Sequence, residues 1–153
     1  MDVEKRIETL GITLPKPPGA VGMYEPLAVA GGFIYTSGNL PLVEGELKFK
    51  GQLGKDVSIE EGFAASQICT LNALAAIKDK IGNLNHILRV VKVTGFVNSA
   101  PGFTEQPKVI NGASKMLADL FEEQGLHARS AVGVAGLPLG AAVEIEYIFQ
   151  LSN

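Results

Sequence analysis

Cysteine is all but missing from this chain: Cys69 is the only one in 153 residues. An intrachain disulfide is therefore excluded, and with two histidines and no paired Cys/His spacing there is little from which to build a structural zinc site. A reducing compartment is the simplest setting, and the cytoplasm is the expected one. Basic residues are short as well. Thirteen Lys and Arg stand against 16 Asp and Glu, a formal net charge of −3, which gives no overall electrostatic reason to bind nucleic acid or an anionic membrane. No apolar run approaches the roughly 20 residues that cross a bilayer. The N-terminus, MDVEKRIETLGI, lacks the apolar run and small-residue cleavage site of a secretory signal. A phosphate-binding glycine loop is lacking too, since neither Gly31-Gly32 nor the stretch from Gly136 to Gly140 sits between a strand and a helix.

What the chain does have is 46% hydrophobic and 19% charged residues, enough to bury one core in one domain. Asp2 is placed to cap a short helix in which Val3, Ile7 and Leu10 share a face, with Gly11 as its stop. The run Leu14-Pro15-Lys16-Pro17-Pro18-Gly19 reads as a linker, because three prolines lack the donor that regular structure needs. Leu27–Ala30 and Phe33–Ser37 flank a Gly-Gly pair and predict a hairpin. Glu44-Gly45-Glu46 predicts a second turn, followed by a short edge strand at Leu47-Lys48-Phe49.

Ser58 and Glu61 form a capping box ahead of a helix from Ile59 to Ile81, whose Phe63, Ile68, Leu71, Leu74, Ile77 and Ile81 predict a stripe packed on a sheet. The valine-rich segment Leu88 to Val97 predicts a strand, and Pro107 to Glu123 a second amphipathic helix. The terminal segment, HARSAVGVAGLPLGAAVEIEYIFQL, reads as two strands joined by a short turn at Leu137-Pro138-Leu139-Gly140. In its second strand Val143, Ile145, Tyr147 and Phe149 share one face, with Glu144, Glu146 and Gln150 on the other. The economical packing is an α+β two-layer sandwich, a mixed sheet with two long helices on one face. Nothing remains to cover the opposite face, so self-association through it is expected.

Arg129 is the outstanding candidate for chemistry. Its planar donor fork matches a carboxylate, and small or β-branched neighbours leave room beside it; the alternative is an ordinary ion pair. Glu144 has the chemistry to position or deprotonate a water, or else belongs to a solvated strand face. In a plain hairpin Glu144 falls opposite Gly133, about four residues or roughly 13 Å from Arg129. The two would then meet only through a different pairing, a bridging ligand or a neighbouring subunit. Tyr24 either closes a pocket or covers a sheet edge, and Asn111 is either a pocket residue or a surface amide. Cys69 reads as a small core residue. His86 and His127 have no partner at metal or triad spacing and read as non-catalytic.

Tyr24 after Val21-Gly22, the run Tyr35-Thr36-Ser37-Gly38-Asn39-Leu40-Pro41, Asn72, Asn111, and Ala128-Arg129-Ser130-Ala131-Val132 with Leu137-Pro138 and Val143-Glu144-Ile145-Glu146 together resemble the reactive intermediate deaminase (Rid) family. That family is also known as YjgF or endoribonuclease L-PSP-like. The resemblance runs from about Val21 onward, giving residues 1–20 as an N-terminal helix with its linker and 21–153 as the family domain. It implies a chorismate mutase-like fold, a homotrimer with a site in each cleft between subunits, and hydrolysis of reactive 2-imino acids and enamines to 2-oxo acids and ammonia. It implies no metal and no cofactor.

By position, Arg129 matches the arginine that grips the substrate carboxylate and Glu144 the glutamate associated with the hydrolytic water. Tyr24, Ser37, Gly38 and Asn111 match lining positions, and Ala131 stands where the family often has cysteine. The chain departs from the family's Gly-Pro-Tyr-Ser pattern at Gly22-Met23-Tyr24-Glu25 and carries the extra N-terminal helix, features of a longer subfamily. The resemblance leaves three activities in order: an imine deaminase, a non-catalytic carboxylate-binding regulatory trimer, and an endoribonuclease or translation inhibitor. The last is disfavoured by the acidic balance and the want of a clear basic, aromatic surface.

Overall fold

The structure, a computed structural model, describes residues 1–17, 19 and 22–152. Pro18 of the proline run, Val21, and the boundary expected between residues 20 and 21 lie outside the described residues. Among the described residues three α-helices, α1 (Val3–Thr9), α2 (Ile59–Ile81) and α3 (Gln106–Phe121), accompany seven strands. The strands are β1 (Leu27–Ala30), β2 (Phe33–Thr36), β3 (Leu42–Val43), β4 (Glu46–Leu47), β5 (Ile87–Asn98), β6 (Ala128–Val134) and β7 (Val143–Leu151).

Local chemistry sets most of these boundaries. Gly31 and Gly32 both take positive φ and close the β1–β2 hairpin. Ser58 Oγ accepts from Glu61 N at 3.1 Å while Glu61 Oε2 accepts from Ser58 N at 2.8 Å, so both ends of the capping box are made. Gly82, at φ 80°, ends α2.

β1, β2, β7, β5 and β6 lie in that order in one sheet, with β5 and β6 parallel and the other pairs antiparallel. This is the expected mixed sheet of an α+β fold, with α2 and α3 packed on one face. Two expectations need correction. β6 and β7 do not form a hairpin but flank β5, Val93 pairing with Arg129 and Phe96 with Glu144. The cause is α3, which returns the chain beside β5 in the parallel sense; residues 135–142 then step over the end of β5, two strand spacings or roughly 10 Å. The edge strand expected at residues 47–49 is also not part of the main sheet. It is reduced to β4, which pairs with β3 around a turn at Glu44 and Gly45 as a separate ribbon.

The core lies between sheet and helices: Ile34, Val90, Val93, Val97, Val143, Ile145, Tyr147 and Phe149 meet Leu74, Ile77, Ile110, Leu117, Leu120 and Phe121. α2 packs less through large side chains than its periodicity suggests. Ala65, Cys69, Ala73, Leu74 and Ile77 are buried, whereas Phe63, Ile68, Leu71 and Ile81 are only half-buried. Small residues let α3 approach closely. A Cβ added at Gly112 would fall 2.2 Å from the Phe63 carbonyl oxygen and 2.3 Å from Ser66 Oγ. Gly112→Ala is therefore expected to destabilise the fold by about 1–3 kcal/mol in denaturant unfolding despite alanine's better helix propensity. An unchanged midpoint would show that the helices separate at little cost.

α1 is tied firmly to this body. Val3 and Ile7 are buried in the core, although Leu10, expected on the same face, is 45% exposed. Asn85 Oδ1 accepts from Val3 N, Glu4 pairs with Lys78 Nζ at 2.5 Å, and Arg6 Nε donates to the Asp119 carbonyl at 2.6 Å.

Candidate active site

Strand alternation puts Arg129 and Glu144 on opposite faces of the sheet. Arg129 is paired with Val93, whose side chain is buried under the helices, and its guanidinium reaches α3. Glu144 pairs with half-buried Phe96 on the face turned away from the helices. The two residues also differ by three positions along β5 and stand on either side of it, so one protomer does not bring them into one pocket.

Around Arg129, Nη1 donates to Asn111 Oδ1 at 2.9 Å and to Ser114 Oγ at 3.1 Å. Both protons of that nitrogen are thus committed. Among the described residues Nε and Nη2 have no hydrogen-bond partner, and together they form the edge of the guanidinium that accepts a carboxylate side-on. Asn111 and Ser114 are one helical turn apart on α3, which is why one side chain on the adjacent strand engages both. Ala131, two residues beyond Arg129 and on the same face, pairs with Gly95 and packs against the core.

Ser114 was not anticipated as part of this cluster, and neither was His127, for which the sequence offered no partner. His127 Nε2 lies 2.9 Å from Ser114 Oγ, and Nδ1 lies 2.6 Å from the Gly125 carbonyl oxygen. Burial holds the imidazole below its usual pKa; the Gly125 contact opposes this and the Arg129 charge adds to it. The spacing of Ser114 from Asn111 was the available signal, but only the path of β6 beside α3 gives it meaning.

The second cluster lies where the segment after β2 runs beside β7 and α2. Tyr24, Ser37 and Gly38 line a cleft of about 350 Å³ with Gly19, Pro26, Asn39, Leu40, Leu42, Asn72, Pro138 and Leu139. Its framework is hydrogen-bonded. Ser37 Oγ donates to the Glu25 carbonyl at 2.6 Å, Asn39 exchanges backbone bonds with Ile145, and Asn72 Nδ2 donates to the carbonyls of Leu40 and Leu42. Ser37 is thus occupied in holding the segment that carries Tyr24, and Asn72 in holding the segment after Gly38. Glu144 does not line the cleft directly but rests against Gly38: an added Cβ there would fall 1.9 Å from Glu144 Oε1. The family resemblance assigns Tyr24, Ser37, Gly38, Asn111, Ala131, Arg129 and Glu144 to a site between subunits; within one protomer they fall into an arginine group and a glutamate group.

Burial of its charged form, reinforced by Glu146, raises the Glu144 pKa above the ordinary carboxylate value. A folded-state pKa above the unfolded one means that the neutral carboxyl is favoured by the fold; that stability is fully present below the unfolded pKa and is lost as pH rises through the folded pKa. Glu144→Gln is accordingly expected to melt above the parent at pH 8 and level with it at pH 4 in differential scanning fluorimetry. Equal melting temperatures at both values would remove the penalty. Cys69 is fully buried, and burial followed by the nearby Glu144 charge pushes its thiol well above the usual value, which suits a core residue and not a nucleophile. Among the described residues no three His, Cys, Asp or Glu side chains are grouped to hold a metal ion, and no helix is long and apolar enough to cross a membrane.

Comparison with known proteins agrees with the fold. The family model described as "YjgF/chorismate_mutase-like, putative endoribonuclease" matches residues 4–151, so it takes in most of α1 as well as the sheet. Protein TCP17 of Trypanosoma cruzi is 41% identical over 152 residues, covering 99% of this chain and 95% of its own. The crystal structure of Atu1372 from Agrobacterium tumefaciens, a protein of unknown function, superposes with a TM-score of 0.91 at 42% identity, covering 98% of this chain and 92% of that one. Escherichia coli TdcF, solved with bound serine, gives a TM-score of 0.62 at 25% identity, covering 90% and 94%. With its mixed five-stranded sheet, two long helices and nearly full-length match, the chain belongs to the YjgF/Rid/L-PSP family.

Proposed function

We propose that the protein is a deaminase of reactive 2-imino acids, with a site completed between protomers that brings the Arg129 group of one to the Glu144 group of its neighbour. The observation that carries the reading is the commitment of Arg129 Nη1 to Asn111 and Ser114, with the Nε and Nη2 edge left to take a carboxylate. A bound serine in TdcF, a relative, fits a small amino acid-like anion. The face away from the helices supports association: Tyr35 and Val132 are 44% and 42% exposed on it, beside half-buried Phe96 and Ile148. A homotrimer is the assembly this reading takes, in keeping with the family resemblance.

In this mechanism Arg129 holds the substrate carboxylate and Glu144, as carboxylate, removes a proton from water as its oxygen adds to the C=N carbon. Glu144 passes that proton to the imine nitrogen, giving the tetrahedral carbinolamine. The hydroxyl proton is then carried to the amine nitrogen by the same carboxylate, the oxygen forms the C=O bond as the C–N bond breaks, and ammonia and the 2-oxo acid leave. Such imines already hydrolyse in water, so orientation and a placed base suffice. The test is to generate 2-iminobutanoate from its amino acid with an oxidase and measure its lifetime with and without the protein, alongside the mass of the native assembly. Acceleration by an oligomer supports the reading; a monomer that leaves the lifetime unchanged refutes it.

A further inference from the structure

Arg129 is held by a group that is itself held. A carbonyl oxygen only accepts, so the 2.6 Å contact between His127 Nδ1 and the Gly125 oxygen requires the proton on Nδ1. In the neutral ring Nε2 is then an acceptor, and the only hydrogen Ser114 Oγ can offer goes to it across 2.9 Å. The serine's lone pairs are thereby left for Arg129 Nη1 at 3.1 Å. Gly125 is fixed in place as well: a Cβ there would fall 2.3 Å from the Leu117 carbonyl oxygen, so residue 125 sits tight against the end of α3.

We propose that Ser114 and His127 form a relay, anchored on the Gly125 carbonyl, that positions the Arg129 guanidinium to receive a carboxylate. The inference rests on the deaminase reading of Arg129 and deepens it. Both are positioning residues, acting through Arg129 and not on the ligand. Without the Nε2 acceptor, the Ser114 hydroxyl turns toward other acceptors, such as the carbonyl of the preceding helical turn, and no longer presents its lone pairs reliably to Nη1. Without the serine oxygen, Nη1 keeps only Asn111 and the guanidinium plane is free to rotate about that single contact. Hydrogen bonding to one edge of the fork thus sets the direction of the other.

The experiment titrates 2-oxobutanoate into the full-length protein by calorimetry at pH 7.5 and reads the His127 tautomer by long-range nitrogen–proton NMR. Ser114→Ala and His127→Phe are each expected to weaken binding about five- to tenfold, and the double variant no further than the weaker single one, because they interrupt one path. His127→Gln, whose amide oxygen can accept from Ser114, is expected to recover most of the affinity; melting curves check that each variant is folded. The parent ring should be neutral with its proton on Nδ1. Folded Ser114→Ala and His127→Phe proteins with parental affinity, or a proton on Nε2 in the parent, overturn the relay while leaving the arginine site standing. Absence of binding in the parent and in Arg129→Ala alike overturns the arginine site, and the relay's role with it.

Discussion

Arg129→Ala should lower kcat/KM for a 2-imino acid by about 10²–10⁴-fold. Two charge-assisted hydrogen bonds from the Nε and Nη2 edge, at about 1.5–3 kcal/mol each, set that scale. The carboxylate does not change charge during the reaction, so much of the loss should appear in KM, with a smaller part in kcat from lost orientation. Arg129→Lys should recover little. An ammonium is a point charge and cannot hold Asn111 and Ser114 with one edge while presenting two parallel donors with another. Steady-state kinetics on a generated 2-imino acid checks both variants, and an alanine variant within threefold of the parent would leave the carboxylate grip without support.

The second large effect comes from a residue with no side chain. Gly38→Ala would place a methyl group where Glu144 Oε1 now sits, at a position whose backbone is not in the left-handed region. The glutamate end can swing away at small cost to the fold, but the carboxylate then loses its place beside the cleft. A fall in kcat of about 10²-fold is expected, at the lower end of what a positioned base contributes, with a melting temperature close to the parent's. Glu144→Gln should reach a similar rate, and the double variant should be no slower than the worse single one, because both remove the same group. In the parent, the rate should fall as pH drops through the raised pKa of Glu144, where the base becomes protonated. Full activity in a folded Gly38→Ala protein would separate Glu144 from the chemistry.

Much of the architecture was legible because its signals are local. The Ser58–Glu61 box, the glycine pair at 31–32 and the alternation along β7 each depend on residues within a few positions of one another. The pairing of β6 and β7 was not, because adjacency in sequence favours a hairpin and nothing local reports that β5 lies between them. That Arg129 and Glu144 do not meet within one chain was legible, but the geometry that separates them was not. A hairpin placed Arg129 and Glu144 some distance apart on one ribbon, whereas the sheet puts them on opposite faces. Recognition of Arg129 as an anion grip needed only its chemistry and its small neighbours. Recognition of Ser114 and His127 needed the contact between α3 and the start of β6, a tertiary fact that neither residue's surroundings in the chain disclose.

β7 follows every other strand in the chain yet lies between β2 and β5. Without β7 the first hairpin and the β5–α3–β6 unit share no hydrogen-bonded strand, and each keeps an open flank. β7 joins them by pairing with β2 on one side and β5 on the other, contacts that require long-range loop closure. It also seats Glu144 against Gly38, so the catalytic carboxylate of the proposed site reaches its place only as the two halves of the sheet become one.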